Sequence, residues 1–207
     1  MIARMSRKLS SLFISHEIIP AEDKEVYEYS FEVLLSMLVS FVVLFSIAIL
    51  TGTVTNTMVY LTGFIPLRLV AGGYHAKTHF RCLVILMCAY ATFLLLQHML
   101  LAEFLIYGIV LSTIVSVILV FFFAPADDSN KPMTEAEKIF SKKKSRILIV
   151  CCAVAVFLLI TFIVDLRVAF SFALGNLTVA ISLPANMVKY KIMEVKNQTT
   201  FEGGNTT

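Results

Sequence analysis

The stretch FLIYGIVLSTIVSVILVFFFA, residues 104–124, decides the fold class of this 207-residue chain. It contains 21 residues and no charged side chain. That is the length an α-helix needs to cross a hydrocarbon core about 30 Å thick. A membrane β-barrel is excluded, because its strands are short and alternate apolar with polar residues. The stretch therefore predicts a membrane-spanning helix.

Further apolar runs lie on both sides of this stretch. They cover residues 31–50, 53–70, 83–101, 147–164 and 168–188. The chain is 58% hydrophobic and 15% charged, whereas soluble domains carry about 25% charged residues. This composition excludes a soluble enzyme, and no basic module interleaved with aromatic residues indicates nucleic acid as a partner. We expect an all-α integral membrane protein with six transmembrane helices.

The distribution of Lys and Arg predicts the orientation of these helices. If the N-terminus is cytoplasmic and all six runs cross, 16 of the 17 Lys and Arg residues lie inside and only Arg167 lies outside. Positive charge concentrates on the cytoplasmic side of membrane proteins. We therefore predict that both termini are cytoplasmic (N-in/C-in) in a multi-pass protein of the cell membrane.

Residues 1–20 form the first of three predicted segments. Their apolar and basic side chains recur at helical spacing on opposite faces, as Ile2, Met5, Leu9, Leu12 and Phe13 against Arg4, Arg7 and Lys8. This pattern indicates an amphipathic interfacial helix on the inner leaflet, or else a helix packed against the bundle. Residues 21–193 form the six-helix domain, with inner loops at 68–82 and 125–146, and residues 194–207 form a flexible polar tail.

The segment RLVAGGYHAKTHFRC, residues 68–82, concentrates reactive side chains at a predicted membrane boundary. Titratable groups at a membrane boundary are energetically unfavourable unless they are paired, solvated or used in the protein's function. A thiol becomes a nucleophile where a helix N-terminus, cations or an imidazole favour the thiolate. Cys82 is therefore the candidate nucleophile, and His75 and His79 are both candidates for its base.

Spacing alone leaves the choice of base open. In a continuous helix His75 and Cys82 lie about 10 Å apart along the axis, at about 1.5 Å per residue, whereas His79 is within reach. Glycines at 72–73 permit a bend. We expect the helix to end at these glycines and a new one to begin near Thr78, so that His75 folds back over Cys82.

Several groups are candidates for holding a peptide substrate. Arg68 is placed to bind a carboxylate or an oxyanion, or simply to anchor its span. A backbone amide near Gly73 is a second oxyanion donor. The cluster Lys142, Lys143 and Lys144 is suited to an acidic peptide tail, or only to orientation and contact with anionic lipid.

The pattern Arg68-x4-Gly-x-His-Ala-x5-Cys82 resembles the signature of the accessory gene regulator B (AgrB) family of membrane-embedded cysteine endopeptidases. The later stretch APADDSNKP, residues 124–132, resembles that family's second inner-loop motif. By this resemblance His75 is the catalytic histidine and Cys82 the nucleophile of a Cys-His dyad. The resemblance implies removal of the C-terminal tail of a quorum-sensing peptide precursor and closure of a thiolactone or lactone ring, in a Gram-positive bacterium.

The same resemblance implies the partners. They are an amphipathic, AgrD-like precursor with an acidic C-terminal tail and a second copy of the chain in a homodimer. The apolar runs add the lipid bilayer as a partner, and the predicted orientation places the active site on the cytoplasmic side. No cofactor is expected, because acyl transfer from one thiol to another nearly conserves the bond energy and needs no nucleotide.

Two other functions remain open from the residues alone. His75, His79 and Cys82 would line one face of a straight helix and could ligate zinc in a membrane metallopeptidase. The Thr and Asn side chains of residues 53–70 could line the path of a small peptide transporter.

Overall fold

The computed structural model describes residues 2–16, 18–73, 79–126, 134–162 and 165–203. Within these ranges the regular structure is helical and contains no strand. The α-helices are α1 (Ile2–Ser15), α2 (Lys24–Leu50), α3 (Val54–Ala71), α4 (His79–Met99), α5 (Leu105–Phe123), α6 (Glu135–Phe162) and α7 (Leu166–Gly203). Short 3-10 turns at Ala21–Asp23 and Ala102–Phe104 precede α2 and α5.

The helices α2 to α7 provide six segments that are long and apolar enough to cross a membrane. This confirms the predicted number of helices with the length and hydropathy of a membrane span. Large apolar side chains remain exposed along them, such as Leu38 and Val42 on α2 and Phe122 on α5. A bilayer is the solvent that such surfaces require. The N-in/C-in orientation stays a prediction.

Helix α6 begins twelve residues before the apolar run that predicted it. The hydroxyl of Thr134 accepts a hydrogen bond from the backbone N–H of Glu137 at 3.3 Å, and the Glu137 carboxylate accepts one from the N–H of Thr134 at 2.8 Å. This reciprocal capping box starts the helix at Glu135. Within the predicted inner loop 125–146 the chain is therefore helical from Glu135 onward, and the lysine cluster lies on a helix.

Helix α7 is also longer than its predicted apolar run, residues 168–188. Its backbone is helical as far as Gly203, beyond residue 194, where the sequence predicts the start of a flexible polar tail. Between residues 185 and 202 no Gly or Pro interrupts the helix, and these two residues are the usual helix breakers. Pro184 is accommodated inside the helix.

The chain divides into two compact units, and the first comprises residues 1–54 with 76–90. In this unit α1 packs along α2: the hydroxyl of Ser10 donates to the Glu28 carboxylate at 3.4 Å, and the rings of Phe13 and Phe31 lie 5.3 Å apart. The alternative of a packed helix thus agrees with the structure, while Met5 and Leu12 of the predicted apolar face stay exposed. Placement of α1 on the inner leaflet remains a prediction.

The second unit comprises residues 55–75 with 91–207. Its core is built from α3, α5, α6 and α7, and the buried side chains include Leu67, Val120, Ile149, Val179 and Leu183. Helices α3 and α7 approach closely enough that a β-carbon on Gly63 would lie 2.6 Å from the Phe172 carbonyl oxygen. Small residues allow such close contact between membrane helices.

Candidate active site

The two glycines after α3 end that helix. Gly72 and Gly73 have φ values of +74° and +145°, a region that L side chains rarely adopt. The N–H of Gly72 donates to the carbonyl of Arg68 at 3.2 Å. The predicted helix end is confirmed, whereas the predicted restart near Thr78 lies outside the described residues, and α4 is described from His79.

Neighbouring segments bind the last carbonyl groups of α3. The N–H of Ala126, which follows α5, donates to the Ala71 carbonyl at 2.9 Å. The buried hydroxyl of Ser145 on α6 lies 3.2 Å from the Val70 carbonyl oxygen. Terminal carbonyl groups lack partners inside their own helix. These tertiary contacts therefore fix the point at which the chain leaves α3.

Arg68 bends back over the end of its own helix. Its Nη1 donates to the Gly72 carbonyl at 3.3 Å and to the Ser182 hydroxyl at 3.3 Å. A β-carbon on Gly73 would lie 2.9 Å from Arg68 Cζ and would overlap both Nη1 and the Ser182 oxygen. The structure thus brings together Arg68 and Gly73, which the sequence predicted separately, and adds Ser182, which it did not predict.

The lysine cluster lies on α6, close to the C-terminal end of α3. Lys142, Lys143 and Lys144 are exposed, and Lys144 Nζ lies 4.1 Å from the centre of the Phe140 ring. The next residue, Ser145, is the one that contacts the end of α3. At about 1.5 Å of rise per residue, the cluster lies within about one helical turn of that contact.

Cys82 belongs to the first unit and lies in the first turn of α4. Its thiol is free and exposed, close to the positive end of the helix dipole. The side chain of His79 and the whole of His75 lie outside the part of the chain that can be described. The predicted Cys-His dyad therefore stays a prediction.

The zinc alternative likewise depends on His75. Among the described residues no group of three or more His, Cys, Asp and Glu side chains is arranged to hold a metal ion. The zinc site stays an alternative prediction.

The contact between Arg68 and Gly73 gives two positions of the sequence motif a shared structural role.

Residues 5–183 match the model of the family described as accessory gene regulator B. No curated protein and no solved structure matches the chain. The matched range includes residues 68–73 at the end of α3, the lysine cluster and Cys82.

Proposed function

Because the chain belongs to the accessory gene regulator B family, we propose that it is a membrane cysteine endopeptidase that removes the C-terminal tail of a quorum-sensing peptide precursor and promotes ring closure. Family membership implies a role in the maturation of such a peptide, and the six apolar helices indicate a multi-pass membrane protein. The observation that carries the finer proposal is the contact of Arg68 with Gly73, which pairs two residues of the peptidase motif immediately before His75.

The proposed reaction is acyl transfer in two steps. His75 accepts the thiol proton of Cys82, and the sulfur attacks the carbonyl carbon that precedes the tail. The carbon–nitrogen bond breaks, the tail leaves as an amine with the proton from His75, and a thioester to Cys82 remains. A thiol or hydroxyl inside the precursor then attacks this thioester, so the ring closes as a thiolactone or lactone and Cys82 regains its proton.

The basic groups near the C-terminal end of α3 are suited to binding the precursor. Lys142, Lys143 and Lys144 offer three exposed ammonium groups on one helical turn, which attract an acidic tail. Arg68 and the amides near Gly73 are the candidates for binding the developing oxyanion. We further propose that this site faces the cytoplasm and that the chain acts as a homodimer.

Limited access of water would favour ring closure over hydrolysis. A thioester at the edge of a bilayer meets less bulk water than one on a soluble surface. Binding the tail in register then selects a single peptide bond for cleavage.

The proposal is tested with the purified chain in proteoliposomes and a synthetic precursor. Cys82→Ser and His75→Gln should abolish cleavage, whereas His79→Gln should keep substantial activity. Cys88→Ser, on the same helix, is the matched control and should cleave like the unmodified protein. A mass increase of Cys82 by the acyl fragment, trapped at short times, identifies the intermediate.

Different results would point to the alternatives. Activity in His75→Gln together with inactivity in His79→Gln would contradict the choice of base. Loss of activity with a chelator but not with a thiol alkylator would establish the zinc peptidase. Movement of the intact precursor across vesicles by Cys82→Ala would indicate transport.

A further inference from the structure

Ser182 on α7 lies 114 positions from Arg68 in the sequence, yet its hydroxyl is bound to that side chain. We propose that Ser182 is a positioning residue of the peptidase site, which holds the Arg68 guanidinium against Gly73 and so fixes the backbone at the point where the chain leaves α3. This inference rests on the proposed function, because it concerns the orientation of the same site.

The hydrogen bonds of Ser182 make its oxygen an acceptor for Arg68. Its hydroxyl proton is donated to the Val179 carbonyl at 2.7 Å. The lone pairs of Ser182 Oγ then remain for the cationic Nη1 of Arg68, at 3.3 Å. Hydrogen bonds to a charged partner are the stronger class, and donation to a carbonyl polarises the hydroxyl further.

The residues of α7 next to Ser182 are buried in the core of the second unit. The flanking residues Val179, Ala180 and Leu183 are 0 to 1% exposed and belong to the same core cluster as Leu67 of α3. The hydroxyl is thus presented from a packed helix, which holds a group more accurately than a loop does.

The positions of the Arg68 guanidinium and the Ser182 hydroxyl restrict the backbone at Gly73. The Arg68 guanidinium and the Ser182 oxygen occupy the space that a β-carbon on Gly73 would fill. The α-carbon of Gly73 consequently lies against both groups. If Ser182 lost its hydroxyl, Arg68 would lose one of the hydrogen bonds that orient its guanidinium, although the bond to the Gly72 carbonyl would remain. The space beside the Gly73 α-carbon would then be open on the side of Ser182.

The test compares Ser182→Ala with Ser171→Ala, a matched change on the same helix. Ser171 is fully buried, donates to the Arg167 carbonyl at 2.8 Å and accepts from the Gln97 amide, so its loss removes a polar contact of α7 away from Arg68. With the intact chain in proteoliposomes, Ser182→Ala should lower kcat for precursor cleavage about tenfold, the effect of one lost charged hydrogen bond. KM should stay within about twofold, because the substrate contacts remain.

Two further measurements separate positioning from general stability. Ser182→Thr, which keeps the hydroxyl, should restore most of kcat. Ser171→Ala should lower the thermal unfolding midpoint in detergent and leave kcat close to that of the unmodified protein.

The possible failures are distinguishable. If Cys82→Ser is inactive but Ser182→Ala has the kcat of the unmodified protein, the proposed function stands and the role of Ser182 is overturned. The role is also overturned if Ser182→Ala changes only KM, or if it matches Ser171→Ala in both kcat and unfolding midpoint. If Cys82→Ser still cleaves the precursor, the proposed function falls, and the role of Ser182 falls with it.

Discussion

The guanidinium group of Arg68 lies where a side chain on Gly73 would have to be. A β-carbon on Gly73 would be 2.9 Å from Arg68 Cζ and would overlap Nη1, although the two residues are five positions apart. The φ of +145° at Gly73 disfavours an L side chain for a second reason, backbone strain. A side chain at position 73 would therefore displace the Arg68 guanidinium.

Replacement of Gly73 should consequently act through Arg68. We expect Gly73→Ala to expel the guanidinium and to lower kcat for precursor cleavage about a hundredfold, the loss expected when a catalytic group moves by about 1 Å. Adding Arg68→Ala to Gly73→Ala should cost little more, since the contact is already lost. Single-turnover cleavage by the two single variants and the double variant measures this coupling.

Gly52→Ala is a control for a glycine with positive φ whose β-carbon would meet no side chain. Gly52 also has a positive φ, +68°, but a β-carbon there would meet nothing within 4 Å. We expect a loss of stability of about 1 kcal/mol from the strained backbone and unchanged kcat. An equal loss of activity in both glycine variants would show that backbone strain alone is responsible.

Neutralising the lysine cluster tests the binding of an acidic tail. The change of Lys142, Lys143 and Lys144 to Gln removes three exposed charges. Exposed ion pairs contribute about 0.2–1 kcal/mol each, so KM for the precursor should rise about tenfold with kcat nearly unchanged. The dependence of KM on salt should also weaken, because screening acts on charges that are no longer present.

Lys138→Gln provides the control on the same helix. Lys138 is bonded to Glu135 at 3.1 Å and lies one turn before the cluster, so KM should not change. A precursor whose acidic residues are replaced by amides should bind the triple variant and the unmodified chain equally. An unchanged KM in the triple variant would place the tail elsewhere.

The crossing of α3 and α7 should be sensitive to a single methyl group. A β-carbon on Gly175 would overlap the Tyr60 carbonyl oxygen and lie 3.1 Å from the Phe64 nitrogen, and neither backbone atom can move independently of its helix. Overpacking of this kind costs about 1–3 kcal/mol. Gly175→Ala should therefore lower the thermal unfolding midpoint in detergent, while Gly108→Ala should lower it less, because its β-carbon would meet side-chain atoms of Leu100 and Phe170.

The sequence predicts the spans well because the apolar runs are long and continuous. It predicts the start of α6 and the end of α7 less well, since both helices continue past the point at which hydrophobicity falls. The capping box of Thr134 and Glu137 is visible in the sequence, but it lies far outside the apolar run 147–164. A capping motif can thus identify a helix start that the hydropathy pattern does not predict.

The candidate site was only partly accessible from sequence. The motif identified Arg68 and Gly73, yet their contact required the turn after α3 and the packing of α7. Ser145 and Ser182 were missed, because a serine in an apolar helix is ordinary and usually bonds to its own backbone. Only the fold shows which of these hydroxyl groups also lies beside the end of another helix.

The orientation of the spans can be tested by labelling with a thiol reagent that does not cross membranes. Glu103 is exposed in the turn before α5, on the predicted outer side, whereas exposed Cys82 lies on the predicted inner side. In intact cells the reagent should modify Glu103→Cys and leave Cys82 unmodified. Both should react once the cells are permeabilised, with each thiol identified by peptide mass mapping. Modification of Cys82 alone in intact cells would invert the topology and would place the proposed peptidase site on the outer surface, where a cytoplasmic precursor could not reach it.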